Sequence, residues 1–573
     1  MHKKWKIQTA ESETMAWVQR ELNCHVATAA ILALRGYLSK EDLAQFLRPS
    51  FRHLRSPFEL AGMAKAVSRL CHGLSQMEKI LVFGDYDVDG ITSTILLYQF
   101  LRDIEADVTY YIPHRIREGY GLKSKHINEL VLPGETSILL TVDCGISSHN
   151  AVGLAQRSGV DVIITDHHDA PAQLPPAFAI IDPKRRDCAS GLMHLSGVGI
   201  AFYLAMALRK GLRDMGFFAS RKEPNLKQSC DLVAMGTISD VVPMVKENRI
   251  LTRAGLEILR SGHRPGINAL ARVCGVAQRH ISSEDIAYRL APRLNAAGRL
   301  DHAKVAARLM DTPTLDKARQ YAEQLNHLNL LRQKEEARVL DEILKYLDGQ
   351  PDWAQKSCLV CASPDWHEGV IGIVAARLMQ MYCKPTILIS LQDSMGKGSA
   401  RSIPGVDIRS ALEACSHLLH RYGGHPMAAG LQISANRIVS FWDCLDKEIR
   451  RRTSAEDLTP ILIIDYCLEL TDITPKLLDE IVALGPFGPQ NPEPVFMASN
   501  VHVLASKIVG KGHKRMRLSA SPDKKGPAWW GIQFNPDPDT LEAQRFTRIA
   551  YRLQWNHWNH NKSIQLLIDE TQV

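Results

Sequence analysis

The sequence predicts a multidomain α/β protein, and three observations carry the prediction. From about Glu78 onward, short apolar strands alternate with helical stretches. One uninterrupted helical pattern then runs from Leu315 to Leu347. After about residue 457 the pattern changes to short strands separated by turn residues. The first observation implies a parallel sheet covered on both faces by helices, the second a connector, and the third a small β-barrel. A chain of 573 residues is also too long for one core, and three or four domains of about 100–200 residues are expected. The expected boundaries are 1–75 for an N-terminal helical accessory segment, 76–314 for the parallel-sheet domain, 315–350 for the connector helix, 351–455 for a second α/β domain, and 456–573 for the barrel.

In the accessory segment, Val26–Leu34 and Lys40–Phe46 carry helix periodicity, and Pro49 and Pro57 break the chain between short pieces. The parallel sheet is expected from Ile80–Phe83, Val108–Ile112, Ile138–Val142, Val162–Thr165 and Phe178–Ile181. Helices such as Ile91–Leu101 and His149–Arg157 separate these strands. In such sheets ligands bind outside the carboxyl ends of the strands. No GxGxxG follows the first strand, which disfavours a dinucleotide site.

The strand ends are where ionisable side chains collect. The first strand runs into Asp85, Asp87 and Asp89, followed by Gly90. Three carboxylates in one turn repel one another unless a cation neutralises them, and hard divalent ions want carboxylate oxygens. The third strand ends in Thr141-Val142-Asp143-Cys144-Gly145, and the fourth in Thr165-Asp166-His167-His168-Asp169. An apolar helix around Leu232–Met235 runs into Gly236-Thr237-Ile238-Ser239-Asp240. Taken singly, Asp143 reads equally well as a helix cap, a lone histidine as a structural hydrogen-bonding residue, and Asp240 as a cap or ion-pair partner. Together, repeated strand-end carboxylates beside neighbouring imidazoles are what a two-metal site needs.

Composition excludes several classes. The chain is 45% hydrophobic and 23% charged, with net charge +7. No apolar run reaches the roughly 18 residues of a membrane span. The basic N-terminus lacks the apolar stretch of a secretory signal. Twelve scattered cysteines, mostly in apolar segments, point to reduced thiols and a cytoplasmic setting. The Cys358/Cys361 pair sits in an apolar strand with no second pair at zinc spacing, and is read as core. Residues 501–573 carry eleven Lys/Arg against six Asp/Glu, a local basic surface suited to a polyanion.

The Asp85/Asp87/Asp89 run, Asp143 in TVDCG, Asp166-His167-His168 and Asp240 in GTISDVVP resemble the four motifs of the DHH phosphoesterase superfamily. Tyr111-Ile112-Pro113-His114-Arg115, Glu118-Gly119-Tyr120-Gly121, the run from Ala291 to Leu300, Trp366-His367-Glu368-Gly369-Val370-Ile371-Gly372 and Gly423-Gly424-His425 are similar to the RecJ family of single-strand-specific 5′→3′ DNA exonucleases within it. The resemblance covers nearly the whole chain. It implies a DHH catalytic domain, a DHHA1 domain and an OB-like barrel in the three places above. It further implies Asp85, Asp87 and Asp89 as first-motif carboxylates, Asp143 as the ligand bridging two Mn2+ or Mg2+ ions, and His167 and Asp240 as further ligands. His168 is then expected on the scissile phosphate. Some superfamily members carry a histidine where this chain has Phe83, a departure that bears on the ligands of one ion. Catalysis is thus expected from Asp87, Asp89, Asp143, His167, His168 and Asp240. The resemblance also implies roles in recombination and repair and a single-strand-binding protein as partner. A monomer is expected.

Past the connector, whose polar middle (residues 332–336) reads as solvated, the run Gly396-Lys397-Gly398-Ser399-Ala400-Arg401-Ser402 reads as a loop able to cradle phosphate with backbone N–H groups. Ser399 and Arg401, with His425 of the glycine-histidine turn, are the substrate candidates from this side. Arg115, Arg293 and Arg299 are those from the catalytic side, and guanidinium forks on a 5′-terminal phosphate would give end dependence. Barrel strands are expected at Ile461–Ile464, Val501–Leu504, Met516–Leu518, Trp529–Phe534 and Gln565–Ile568. There Lys511, Lys514, Arg515 and Arg517 accompany Trp529 and Trp530, a combination that suits single strands, although at least one tryptophan is expected in the core. Gln490 and His560 stand where the family usually has glycine. Two other readings stay open: a superfamily enzyme acting on short oligonucleotides or cyclic dinucleotides, and a non-catalytic strand-binding protein. The chain's length and basic barrel weigh against the first, the retained aspartates and histidines against the second.

Overall fold

A computed structural model describes residues 3–453, 459–510, 512–523, 526–558 and 561–573. The chain forms two compact units. One comprises residues 55–242 and 251–460, the other 3–54, 243–250 and 461–573.

The first unit holds two sheets. Strands β1 (Ile80–Gly84), β2 (Val108–Tyr111), β3 (Ile138–Val142), β4 (Asp161–Thr165) and β5 (Ala179–Ile181) form a parallel sheet in the order β2-β1-β3-β4-β5. Every residue of β1 and β3 is buried, which is why these strands read as unbroken apolar runs. Five helices of this part bear on the site: α1 (Val88–Asp103), α2 (His149–Arg157), α3 (Gly197–Asp214), α4 (Cys230–Ser239) and α5 (Ala291–Leu300). The connector is helix α6 (Leu315–Asp348), 34 residues and about 50 Å long at 1.5 Å per residue.

Helix α6 is largely solvated through its middle, as the sequence suggests: Gln333, Lys334, Ala337 and Arg338 are exposed, and a narrow polar stripe turns inward. Asn329 and Arg332 are buried, and the Arg332 guanidinium donates to Asn329 Oδ1 (2.5 Å) and Glu336 Oε2 (2.6 Å). Further along, Val339, Leu340, Ile343 and Leu347 pack with Leu359, Val370 and Val374.

The second sheet of this unit contains β6 (Leu359–Ser363), β7 (Thr386–Gln392), β8 (Met395–Arg401), β9 (Leu419–His425) and β10 (Ala428–Ser434), ordered β9-β10-β8-β7-β6, with helix α7 (Glu368–Tyr382) after β6. Two expectations fall here. The 396–402 run is strand β8, paired on both sides, with Ser399 opposite Leu388 on β7 and Gly430 on β10. Its backbone N–H groups serve the sheet and do not form a phosphate loop. Gly423-Gly424-His425 is the end of β9, paired with β10, and not a turn. Cys358 and Cys361 are buried in the core, as read, and all twelve cysteines are free.

In the second unit, β11 (Phe496–Val509), β12 (His513–Ser519), β13 (Ala528–Gln533), β14 (Arg545–Trp558) and β15 (Asn561–Gln572) close into a barrel, β11-β12-β13-β15-β14 and back to β11. Strand Ile461–Ile464 is not in the barrel; it pairs in parallel with Lys4–Ile7. Val18, Ile31, Leu32 and Phe46 of the N-terminal helices share one core with Leu477, Phe496, Phe546 and Tyr551. Trp529 packs against that core and donates to Leu470 O (2.8 Å), so it is the expected core tryptophan. Trp530 is 38% exposed with the Arg515 guanidinium 4.4 Å from its ring centroid. Lys514 is buried and donates to Thr540 O (2.9 Å), so it is not a surface cation. Lys511, Asn559 and His560 lie outside the described residues. No helix among the described residues is long and apolar enough to cross a membrane.

Candidate metal centre

The site forms at the carboxyl edge of β1, β3 and β4, where the sheet delivers the motif residues. Asp87 caps α1, its Oδ1 accepting from Gly90 N (3.0 Å). Gly90 is required there, because a Cβ would stand 2.6 Å from Asp85 O. Asp143 follows β3 with φ +57°, a left-handed conformation that aspartate tolerates better than most residues. It caps no helix; α2 begins at His149. Asp240 is the C-cap of α4.

These segments bring together three overlapping groups: Asp85, Asp87 and Asp143; Asp143, His167 and His168; and Asp89, His167 and Asp240. Within each group one ligand atom per residue lies within 4.8 Å of the others. His167 Nε2 is 3.1 Å from Asp143 Oδ1 and 3.6 Å from Asp240 Oδ2. Asp85 Oδ1, Asp143 Oδ1, His167 Nε2 and Asp240 Oδ2 are all buried and make no hydrogen bond. Burial and the surrounding carboxylates push Asp85 and Asp143 well above the usual carboxylate range, Asp89 up to about 7 and Asp240 up to about 9. Burial and then the charge of His168 drive His167 down to about 3, which keeps its ring neutral and its lone pair available. Buried acceptors with no donor, rich in carboxylate oxygen and including one free imidazole nitrogen, fit a hard divalent cation.

Sequence reasoning singled out these candidate residues but missed what holds them in place. Asp89 is gripped by the start of α3: Gly197 N donates to its Oδ2 (2.6 Å) and Val198 N to its Oδ1 (3.0 Å). Gly197 must be glycine, since a Cβ there would stand 2.6 Å from Asp143 Oδ1. The signal was present in Ser196-Gly197-Val198-Gly199, a serine cap before an apolar run; Ser196 Oγ accepts from Gly199 N (3.3 Å). Asp166, read only as part of a motif, is an organiser. Its carboxylate accepts from Ile146 N (3.0 Å), His167 N (2.8 Å) and His168 N (3.2 Å), and pairs with His168 Nδ1 at 2.7 Å. Burial opposes a charged His168 ring, but the Asp166 hydrogen bond and charge outweigh it, and His168 is pushed up to about 9. Phe83, in contrast, is wholly buried and stacked on Tyr111, so it belongs to the core.

Three family models match the chain: the DHH family N-terminal domain over residues 79–237, the DHHA1 domain over 355–451, and the RecJ OB domain over 464–570. A relative from Dickeya dadantii, the single-stranded-DNA-specific exonuclease RecJ, is 38% identical over 94% of this chain and 94% of its own length. The chain belongs to the RecJ family. Two crystal structures of RecJ from Thermus thermophilus cover all of it. The complex with Mn2+ has TM-score 0.83 and 28% identity and is matched over 79% of its length; the complex with Mg2+ has 0.77 and 26%, over 78%.

Beside the carboxylates this RecJ-family chain gathers guanidinium groups. Arg115 lies 5.0 Å from the Tyr86 ring centroid. Arg299 donates to Gly369 O (3.1 Å), and burial with the charges of Arg115, Arg332 and Arg401 pushes it down to about 9. Arg401 donates to Ser399 Oγ (3.0 Å) and is also lowered, by burial and then Arg115. Arg299 and Arg401 thus both feel the charge of Arg115, and Arg401 holds Ser399. Arg293 does not join them; it donates to Asn326 Oδ1 (2.9 Å) and Arg289 O (2.7 Å). His425 Nδ1 is 3.2 Å from Asp169, which follows the His167-His168 pair in sequence. Tyr86, Arg115, Tyr120, Lys397, Arg421 and Tyr422 line a cleft of about 460 Å³. Glu118 fixes the loop that brings Arg115 and Tyr120 there, accepting from Tyr111 OH (3.1 Å) and His114 N (2.8 Å) and pairing with His126 Nε2 (2.9 Å).

Proposed function

We propose that this RecJ-family chain is a metal-dependent 5′→3′ exonuclease that hydrolyses single-stranded DNA to mononucleotides in DNA recombination and repair. The observation that carries the reading is the juxtaposition, within one unit, of orphaned buried carboxylates and mutually repelling buried guanidiniums. The first set lacks cations and the second lacks an anion, and a metal-bearing phosphodiester supplies both.

In this reading Asp85, Asp87, Asp89, Asp143, His167 and Asp240 would hold Mn2+ or Mg2+, Asp143 belonging to two of the three groups. When bound, the cations activate water and screen the charge of the phosphoryl oxygens. His168, held protonated and aimed by Asp166, donates from Nε2 to the scissile phosphate as negative charge builds. Arg115, Arg299 and Arg401, with Ser399 and His425, receive the 5′-terminal phosphate, which sets the distance from the end at which cleavage falls. Arg293 acts on the connector helix. The tyrosine-lined cleft admits a single strand, and the barrel, with Arg515 against the Trp530 ring, offers a separate surface suited to stacking bases and meeting phosphates. The working division is 76–314 catalytic, 315–350 connecting, 351–455 gripping the end, and 456–573 holding the strand. The protein is taken to work in the cytoplasm as a monomer with single-strand-binding protein as partner.

The test is digestion of a long strand labelled at one end, with Mn2+, Mg2+ or chelator, beside the same strand as blunt duplex. Mononucleotides released from the 5′ end of the single strand, and only with metal, are expected. Turnover of dinucleotides alone would make it a small-substrate enzyme, and tight binding without product would make it a binding protein.

A further inference from the structure

Val241 follows Asp240 with φ +60°. Among the described residues with left-handed backbone it is the one β-branched side chain, the type for which that conformation is a true outlier. The position closes α4: Val241 N reaches back to Ile238 O (3.4 Å), and glycine or asparagine is the usual residue there. A strained side chain is ordinarily compensated by burial, but Val241 is 67% exposed. Neither its backbone nor its packing in the free protein accounts for a valine. What distinguishes the position is its neighbour, because Asp240 Oδ2 points at His167 Nε2. Strain that the fold does not need, beside a reacting centre, points to a role in the bound state.

We propose that the Val241 side chain is a substrate-contacting wall. Its isopropyl group packs on the apolar sugar and base surface of the nucleotide whose phosphate reaches the metal centre. This rests on the reading of the site as a nuclease centre, and it assigns Val241 to substrate binding, separate from the ligands and from His168. An apolar contact made equally before and during reaction lowers KM and leaves kcat alone.

The test uses the full chain with Val241→Gly and Val241→Asn, both of which accept the left-handed backbone. Read alongside KM and kcat are the melting temperature, Mn2+ affinity by electron paramagnetic resonance, and the Kd of a fluorescent deoxyoligonucleotide by anisotropy with Ca2+ in place of Mn2+. Expected are a melting temperature held or raised, unchanged Mn2+ affinity, and Kd and KM both raised about fivefold in each variant. Unchanged Kd and KM in both variants would overturn the assignment, and so would a parallel loss of Mn2+ affinity, since Val241 would then act through Asp240. A wild-type protein that binds the strand but releases no product would sink the nuclease reading, while the Kd comparison would still decide the role of Val241.

Discussion

Asp143→Asn should make the metal-free protein more stable while removing its activity. Asp143 is 2% exposed, sits between Asp85, Asp87 and His167, and has an Oδ1 with no hydrogen bond. Two ionised carboxylates whose oxygens lie within 4.8 Å repel by about 3–4 kcal/mol at an effective dielectric of roughly 20. The amide removes that repulsion, nearly matches the shape, and accepts the left-handed backbone at φ +57°. The sign follows from the raised pKa values. A carboxyl raised in the folded state contributes stability below its unfolded pKa and loses it as pH rises through the folded one. With Asp89 near 7 and Asp240 near 9, the metal-free wild type should lose stability from about pH 4 to about pH 9, and the variant should lose less. Melting curves in chelator should therefore nearly coincide at pH 5 and separate by several degrees at pH 8, with Asp143→Asn the higher. At a hundredfold excess over Kd, Mn2+ should stabilise the wild type by about 2.7 kcal/mol and the variant little, and product from a labelled single strand should vanish. A variant that melts lower than wild type at pH 8, or is stabilised equally by Mn2+, or cuts at a near-normal rate, would refute the reasoning.

Three other perturbations separate the remaining roles. Asp166→Asn should remove the charge that keeps His168 protonated. Activity that falls above about pH 9 in the wild type should fall at lower pH in the variant, read as a kcat profile with metal saturating. Glu118→Gln should loosen the loop carrying Arg115 and Tyr120, raising KM for a 5′-phosphorylated strand more than for a 5′-hydroxyl strand and leaving Mn2+ affinity intact. Gln490→Gly should raise the melting temperature, because exposed Gln490 sits at φ +60°, a left-handed backbone that glycine adopts without steric cost. Relief of about 1–2 kcal/mol is set against roughly 0.4–1 kcal/mol of added unfolded-chain entropy, and activity should not change.

Much of this was legible because strands buried on both faces leave unbroken apolar runs, and a parallel sheet sends each run's end to one edge. The candidate residues stood out because Asp85, Asp143 and His167 follow closely where those strands stop and Asp240 where helix α4 stops. What was illegible depends on pairing across distance. Gly396 to Ser402 looks like a phosphate loop because glycine, lysine and serine are loop residues, yet Gly398 is needed where a Cβ would crowd Leu431 on the neighbouring strand (2.7 Å). Lys514 looks like a surface cation until its stem is seen inside the barrel with its ammonium on Thr540 O. Asp89 is visible in the motif, but the amides of Gly197 and Val198 that hold it, more than a hundred residues away, cannot be read from the motif itself.

The energetic logic of the site favours a substrate that brings opposite charges together. Burying a carboxylate or a guanidinium without a partner is costly, and this unit does both side by side. Asp85 feels the charge of Arg115, and Arg299 that of Asp87, yet neither pair forms an ion pair among the described contacts. Direct neutralisation would have been the stable arrangement for a protein with no ligand. The two sets are instead held apart, by Asp166 and the α3 amides on one side and by the α7 backbone at Gly369 on the other. Cations alone would relieve only the carboxylates, and a free phosphate only the arginines. A phosphorylated strand end bound with metal relieves both at once, so the affinity for each should depend on the presence of the other. Measured separately, 5′-phosphate recognition should weaken when metal is withdrawn, and metal affinity should rise when a 5′-phosphorylated strand is bound, by the same factor.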